Sequence, residues 1–295
     1  MAKHHDEKTG ELFMGLEVLL YSLFPILINE GTKTIPPLHF LAYGTLCSIL
    51  FFGIITLWKK EMHQLLNKKA WLPILGVIIF VATIPNIIIF WGTQYTSGIN
   101  TTLLLQSEII FATLVGAMIG EKLSSKKIMG VFLILAGSIT ILYNGSLAIN
   151  KGDIAIFLAT MLFPFGNLFA KKALKIINWA PLLLARTAIA GSALWIIANL
   201  VESPSSLTNK DMIFILIMGF VIFGISKMLW YMGLKKLDIS KASAIGMSYP
   251  AFSLIFAFLL LHEIPTLYQW IGIAIISMGL YFIIRTTSKQ YLDIL

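Results

Sequence analysis

Three ionisable side chains lie well inside long apolar runs of this 295-residue chain, Glu108, Arg186 and Lys227, and a fourth, Glu17, stands near the start of one. An ionisable group at membrane depth costs roughly 2.5–3.5 kcal/mol on insertion scales, so each is a functional candidate by default. Glu108 is the deepest, about ten residues from one end of its run and twelve from the other. At about 1.5 Å rise per residue, its short side chain reaches neither interface. A carboxylate there either exchanges protons or pairs with a cation, and Gln106 and Ser107 add hydrogen-bonding groups beside it. Lys227 follows Ser226 within snorkelling reach of the end of its run. Arg186 is permanently charged, so it anchors a carboxylate, staples a neighbouring helix or snorkels. Asn86 follows Pro85, and Asn167 follows Pro164 and Gly166. Proline frees a backbone carbonyl, and a loosened helix carrying an amide suits ligand contact. Tyr249, beside Pro250, and Trp91 are candidates for an aromatic wall that holds flat or cationic solutes. The competing reading for such aromatics near span ends is the interfacial belt. Glu17 reads as an interfacial residue, and Glu121 and Glu263 as groups that hold turns or cap neighbouring helices.

The elements that must position these residues are transmembrane. With 58% hydrophobic and 12% charged residues, the chain departs from soluble domains, in which about a quarter of residues are charged. Apolar blocks near the ~20 residues that cross a bilayer cover roughly 12–29, 36–58, 71–93, 98–120, 127–143, 153–170, 180–200, 211–233, 242–262 and 267–284. An all-α integral membrane fold of ten transmembrane helices is expected. Lysine and arginine alternate by loop. Lys33, Lys151 and Lys210 fall on one side, while the remaining loop and terminal positive charges fall on the other. Such an excess is the positive-inside signature, placing both termini in the cytoplasm. The net charge of +8 therefore points to a membrane surface and not to nucleic acid. The first block contains Glu17, is long for a signal-peptide core and lacks a small-residue cleavage site, so it reads as a mature span.

Enzymatic chemistry is not expected. Cys47 is the single cysteine, so no internal disulfide forms. Histidines 4, 5, 39, 63 and 262 lack zinc-ligand spacing. No phosphate-binding loop of the Walker type appears, nor a nucleophile elbow. No metal or cofactor is expected.

The chain also repeats itself. Glu121, Gly130 and Gly137 recur as Glu263, Gly272 and Gly279, each 142 residues later. Leu23-Phe24-Pro25 with Lys33 matches Leu162-Phe163-Pro164 with Lys172. Pro37-Leu38 matches Pro181-Leu182, and Trp91-Gly92 matches Met232-Gly233. Two units follow, 1–148 and 149–295, each of five spans. An odd number of spans gives the copies opposite orientations, hence two inverted five-helix repeats around a shared site.

With these motifs, the sequence resembles the drug/metabolite transporter superfamily in its ten-span EamA-type branch, over essentially its whole length. The two Glu segments with their paired glycines, Tyr95-Thr96-Ser97, and Phe165-Gly166-Asn167 with Lys172 carry the resemblance. It implies a secondary carrier for small organic solutes, often outward, with a central cavity lined by spans 1, 3, 4, 6, 8 and 9. Two departures stand out. Glu108 occupies the position where the family favours proline, and Ala42-Tyr43 the place of the arginine that Arg186 supplies in the second half. The expected function is alternating-access transport of amino acids, related solutes or drugs, by export or exchange, with protons as a candidate coupling ion. A lipid flippase, a metabolite uptake carrier and a membrane-embedded structural subunit are the alternatives. The many lysines and few arginines suggest a bacterial inner-membrane protein, monomeric or homodimeric. Glu108, Lys227, Asn86, Asn167, Arg186, Tyr249 and Trp91 are the expected substrate or ion contacts.

Overall fold

The computed structural model describes residues 2–92, 94–96, 104–142, 150–261 and 266–285, and all regular structure among them is helical. Glu263 and His262 lie outside the described residues, as does Ser97. Helices follow from the apolar runs, because a lipid environment leaves backbone N–H and C=O groups no other partners. The order is α1 (Ala2–Tyr21), α2 (Phe24–Gly31), α3 (Pro37–Trp58), α4 (Lys68–Val77) and α5 (Ile84–Gly92). Then come α6 (Glu108–Met118), α7 (Ser125–Leu142), α8 (Lys151–Thr160), α9 (Leu162–Leu174) and α10 (Trp179–Val201). The last are α11 (Asn209–Leu216), α12 (Lys227–Leu234), α13 (Ile239–Gly246), α14 (Tyr249–Leu261) and α15 (Leu267–Ile284). Among the described residues, seven helical stretches are long and apolar enough to cross a membrane. Glu108–Met118 is a shorter apolar helix.

Several stretches are broken helices, and each break has a sequence cause. Pro25 and Pro164 cannot donate to the preceding turn, and the chain bends at Ser22-Leu23 and at Met161. The helix from Lys68 to Gly92 widens to a π-helix over Ile78–Thr83, and that from Asn209 to Leu234 does so over Ile217–Ser226. Such wide turns leave carbonyls to be filled. Asn86 fills two of them, its amide donating to Val81 O at 2.6 Å and to Ala82 O at 3.1 Å. Val81 O is the carbonyl that Pro85, lacking an N–H, leaves without its helical donor. Turns at Gln106-Ser107 and Met247-Ser248 put Glu108 and Tyr249 at the first positions of new helices.

Helices of the two halves pack antiparallel. Gly130 of α7 faces Gly279 of α15, and Gly137 faces Gly272. A Cβ added at Gly130 or Gly137 would stand 2.8 Å from the partner's carbonyl oxygen, so the two helices approach as closely as only glycine permits. The same reversed order relates Gly53 and Leu184 to Gly191 and Leu46 (α3 on α10), and Gly10 and Leu237 to Met14 and Gly233 (α1 on α12). Loop acids finish the helix starts across the halves. Glu202 accepts from the backbone of Leu38 and His39 at the start of α3, at 3.0–3.2 Å. Before α10 the tie is through side chains: the Asn178 amide donates to Glu61 at 2.8 Å, while its backbone N–H donates to Gln64 Oε1 at 2.7 Å. A carboxylate at a helix N-terminus satisfies its free N–H groups and complements its dipole.

Candidate functional site

The helix breaks surround a cavity that is partly open to its surroundings. Its walls come from both halves of the chain: Glu17, Tyr21 and Phe24 from α1 and α2, Asn86 from α5, Glu108 from α6, and Asn167 from α9. Arg186 comes from α10, Lys227, Trp230 and Tyr231 from α12, and Tyr249 from α14. Six of the seven residues singled out in the sequence, Glu108, Lys227, Asn86, Asn167, Arg186 and Tyr249, therefore line one space. Trp91 does not. It is 39% exposed, its ring sits 4.8 Å from that of Tyr95, and Lys151 lies 3.7 Å over Tyr95. That arrangement is the belt geometry of aromatics at a span end.

Glu17 is the residue whose interfacial reading the geometry overturns. It is 1% exposed, pairs with Lys227 Nζ at 3.6 Å and accepts from Ser226 Oγ at 3.1 Å. Lys227 also stands 3.9 Å over the ring of Tyr21, which meets Tyr249 edge-on at 5.4 Å. Glu108 is 7% exposed, with Ser243 Oγ at 3.4 Å, and lies within electrostatic range of Lys227. Among the described residues no cation comes within 4 Å of the Glu108 carboxylate, and no acid within 4 Å of the Arg186 guanidinium. Arg186 instead lies 5.7 Å from the ring of Tyr231, and its Nε is buried without a hydrogen-bond partner among the described residues. The cavity thus holds two acids and two bases, of which Glu17 and Lys227 satisfy each other directly. An aromatic wall of Tyr21, Phe24, Phe163, Phe223, Trp230 and Tyr249 completes it. Among the described residues no group of three or more potential metal ligands occurs.

A second charged cluster lies outside the cavity, where the ends of α6, α9 and α12 meet the starts of α1, α7 and α13. Lys127 contacts Glu121 at 3.4 Å and Asp238 at 3.5 Å. Glu121 accepts from Ile239 N at 2.6 Å and Ser240 N at 3.2 Å, capping α13. Burial, reinforced by the Glu121 carboxylate, pushes the Asp238 carboxyl up from 3.8 to about 6, against the pull of Lys127 and Lys171. A carboxyl whose folded value exceeds its unfolded value contributes stability that is complete below about 3.8 and is lost as pH rises through about 6. Asp238→Asn is therefore expected to flatten the fall in melting temperature between pH 4 and pH 6 in detergent. Parallel curves for the two proteins would contradict the assignment.

Comparison with known proteins agrees with this architecture. The model of the EamA-like transporter family matches residues 8–143 and again residues 150–285. An uncharacterized transporter of Archaeoglobus fulgidus is 24% identical over 95% of this chain and 98% of its own length. A protein of Escherichia coli named probable amino-acid metabolite efflux pump is 23% identical over 94% of each chain. A solved structure described only as "Crystal structure of protein" superposes with a TM-score of 0.81 at 15% identity, covering 93% of this chain and 96% of that one. At that identity the likeness speaks for the fold alone.

Proposed function

The chain belongs to the EamA-like transporter family, and on that premise we propose that it is a secondary carrier for small zwitterionic solutes of the α-amino-acid type. The observation that carries this reading is the charge pattern of the cavity. Glu17 and Lys227 form a pair, leaving Glu108 and Arg186 as one acid and one base without a counterion inside 4 Å among the described residues. A zwitterion offers an ammonium for Glu108 and a carboxylate for Arg186, and adds no net charge to a membrane-embedded site. A lone cation or anion would leave one charge uncompensated where an unpaired ion is costly. The aromatic wall then accommodates an apolar side chain.

In this account the guanidinium fork grips the carboxylate in two-pronged fashion, while Asn167 and Tyr249 orient the solute. Glu108 takes a proton when no ammonium occupies it, which couples the solute to protons. The two halves are inverted repeats of five spans each, ten in all, rocking about the cavity. The antiparallel glycine contacts between equivalent helices support that symmetry. The lysine-rich end faces the cytoplasm of a bacterial inner membrane, and transport runs outward, in keeping with the name of the Escherichia coli relative.

Counterflow in proteoliposomes tests this reading. Vesicles loaded with an unlabelled neutral amino acid are expected to accumulate the labelled form, and the same vesicles to leave a fluorescent phospholipid unflipped. Lipid scrambling without amino-acid counterflow would overturn it.

A further inference from the structure

The turn between α12 and α13 is tied to its surroundings more densely than the cavity requires. Six consecutive residues each make a polar contact with a different part of the chain or share one with a neighbour. Lys236 pairs with Asp6 of α1. The carbonyl of Leu237 accepts from Lys171 of α9. Asp238 meets Lys127 of α7. The backbone N–H groups of Ile239 and Ser240 both donate to Glu121, which follows α6. Lys241, wholly buried, lies 2.6 Å from both Glu7 and Glu11 of α1. None of these residues lines the cavity. The matching turn after α5 is tied, among the described residues, by Asp153 to Thr96 and by Lys151 over Tyr95.

We propose that the α12–α13 turn, Lys236 to Lys241, is a latch that holds the lysine-rich end of the cavity shut. Four helices or helix ends, α1, α6, α7 and α9, converge on this one short segment, and α12 and α13 carry cavity residues on its two sides. Lys227, Trp230 and Tyr231 precede the turn, and Gly246, Met247 and Tyr249 follow it. Displacing the turn therefore moves both walls together. Opening this end requires parting the α1 carboxylates from Lys236 and Lys241, and Glu121 from the start of α13. The polar first turns of α1, which run ahead of its apolar stretch, act as the arm that closes on the turn.

The latch rests on the alternating-access reading, but its test uses no solute, so its failure and a failure of the solute assignment are separable. In a Cys47→Ser background, Met247→Cys places a single thiol on the cavity wall. A membrane-impermeant thiol reagent is then applied from each side of oriented vesicles. With the latch intact, labelling is expected from the side opposite the lysine-rich end. Glu121→Ala is expected to raise the labelling rate from the lysine-rich side at least about tenfold. Because Glu121→Ala also removes a helix cap, the solvent-facing pair supplies a second variant. Asp6→Lys is expected to raise the rate in the same direction, and adding Lys236→Asp to restore it, since only the sign of the pair changes. Unchanged labelling from the lysine-rich side in folded Asp6→Lys protein, or no restoration by the reversed pair, would overturn the proposal.

Discussion

Arg186→Gln is expected to weaken half-saturation by a neutral amino acid about 10- to 100-fold, the effect of losing the roughly 1.5–3 kcal/mol of a hydrogen bond to a charged group. It should leave the corresponding amine, which lacks a carboxylate, nearly unaffected. Glu108→Gln should do the reverse, costing the amino acid a similar factor while leaving the corresponding carboxylic acid unaffected. The opposed pattern separates substrate contact from a structural role. A guanidinium that merely fastened α10 to Tyr231, 5.7 Å away, would on removal weaken all solutes together or deplete the folded protein. Arg186→Lys gives an intermediate case, because it keeps the charge and loses the planar fork. Equal losses for amine and amino acid in Arg186→Gln would reject the proposed role.

The second large effect concerns stability. Glu17 and Lys227 hold α1 to α12 by an ion pair that is nearly closed to solvent, with side-chain exposures of 2% and 18%. Removing one partner of such a pair leaves a buried charge unopposed and typically costs about 3–5 kcal/mol, whereas replacing both by apolar groups is often close to neutral. Glu17→Leu is therefore expected to reduce the folded yield and melting temperature sharply, and Glu17→Leu with Lys227→Met to recover most of the loss. The cation–π contact of Lys227 with Tyr21 at 3.9 Å softens the single variant and does not rescue it, since such contacts are worth about 0.5–2 kcal/mol. A double variant no more stable than the single one would show that the pair does not join these helices.

Much of this architecture is legible in the sequence, because lipid leaves few options. Apolar runs longer than about 18 residues must be helical, and Pro25, Pro85 and Pro164 announce broken helices before any coordinates. Glu108, Arg186 and Lys227 draw attention because charge at membrane depth is costly, and the cavity gathers them. Glu17 escapes that argument because its apolar block begins only a few residues earlier. Helix α1, however, starts at Ala2, and its polar first turns dock on the α12–α13 turn. Glu17 consequently lies about 16 Å along the helix from Asp6, at ~1.5 Å per residue, well beyond the interface. Trp91 misleads in the other direction. As an aromatic it is a candidate for the cavity wall, yet it is exposed and packs against Tyr95, as the competing belt reading has it. The charged cluster is also hidden from a linear reading. Lys127 and Lys241 count as ordinary loop charges in the topology rule, and only tertiary packing buries them against Glu121, Asp238, Glu7 and Glu11.

The central claim is that the cavity recognises both ends of a zwitterion, and capped analogues of one amino acid test it most directly. In proteoliposomes performing counterflow, the free amino acid, its methyl ester and its N-acetyl derivative are compared as competitors. The ester retains the ammonium without the carboxylate charge, and the N-acetyl derivative retains the carboxylate without the ammonium. The account predicts that the free amino acid competes at least about tenfold more strongly than either capped form, matching the loss of one charged contact. Equal competition by all three would contradict it, as would a clear preference for either capped form.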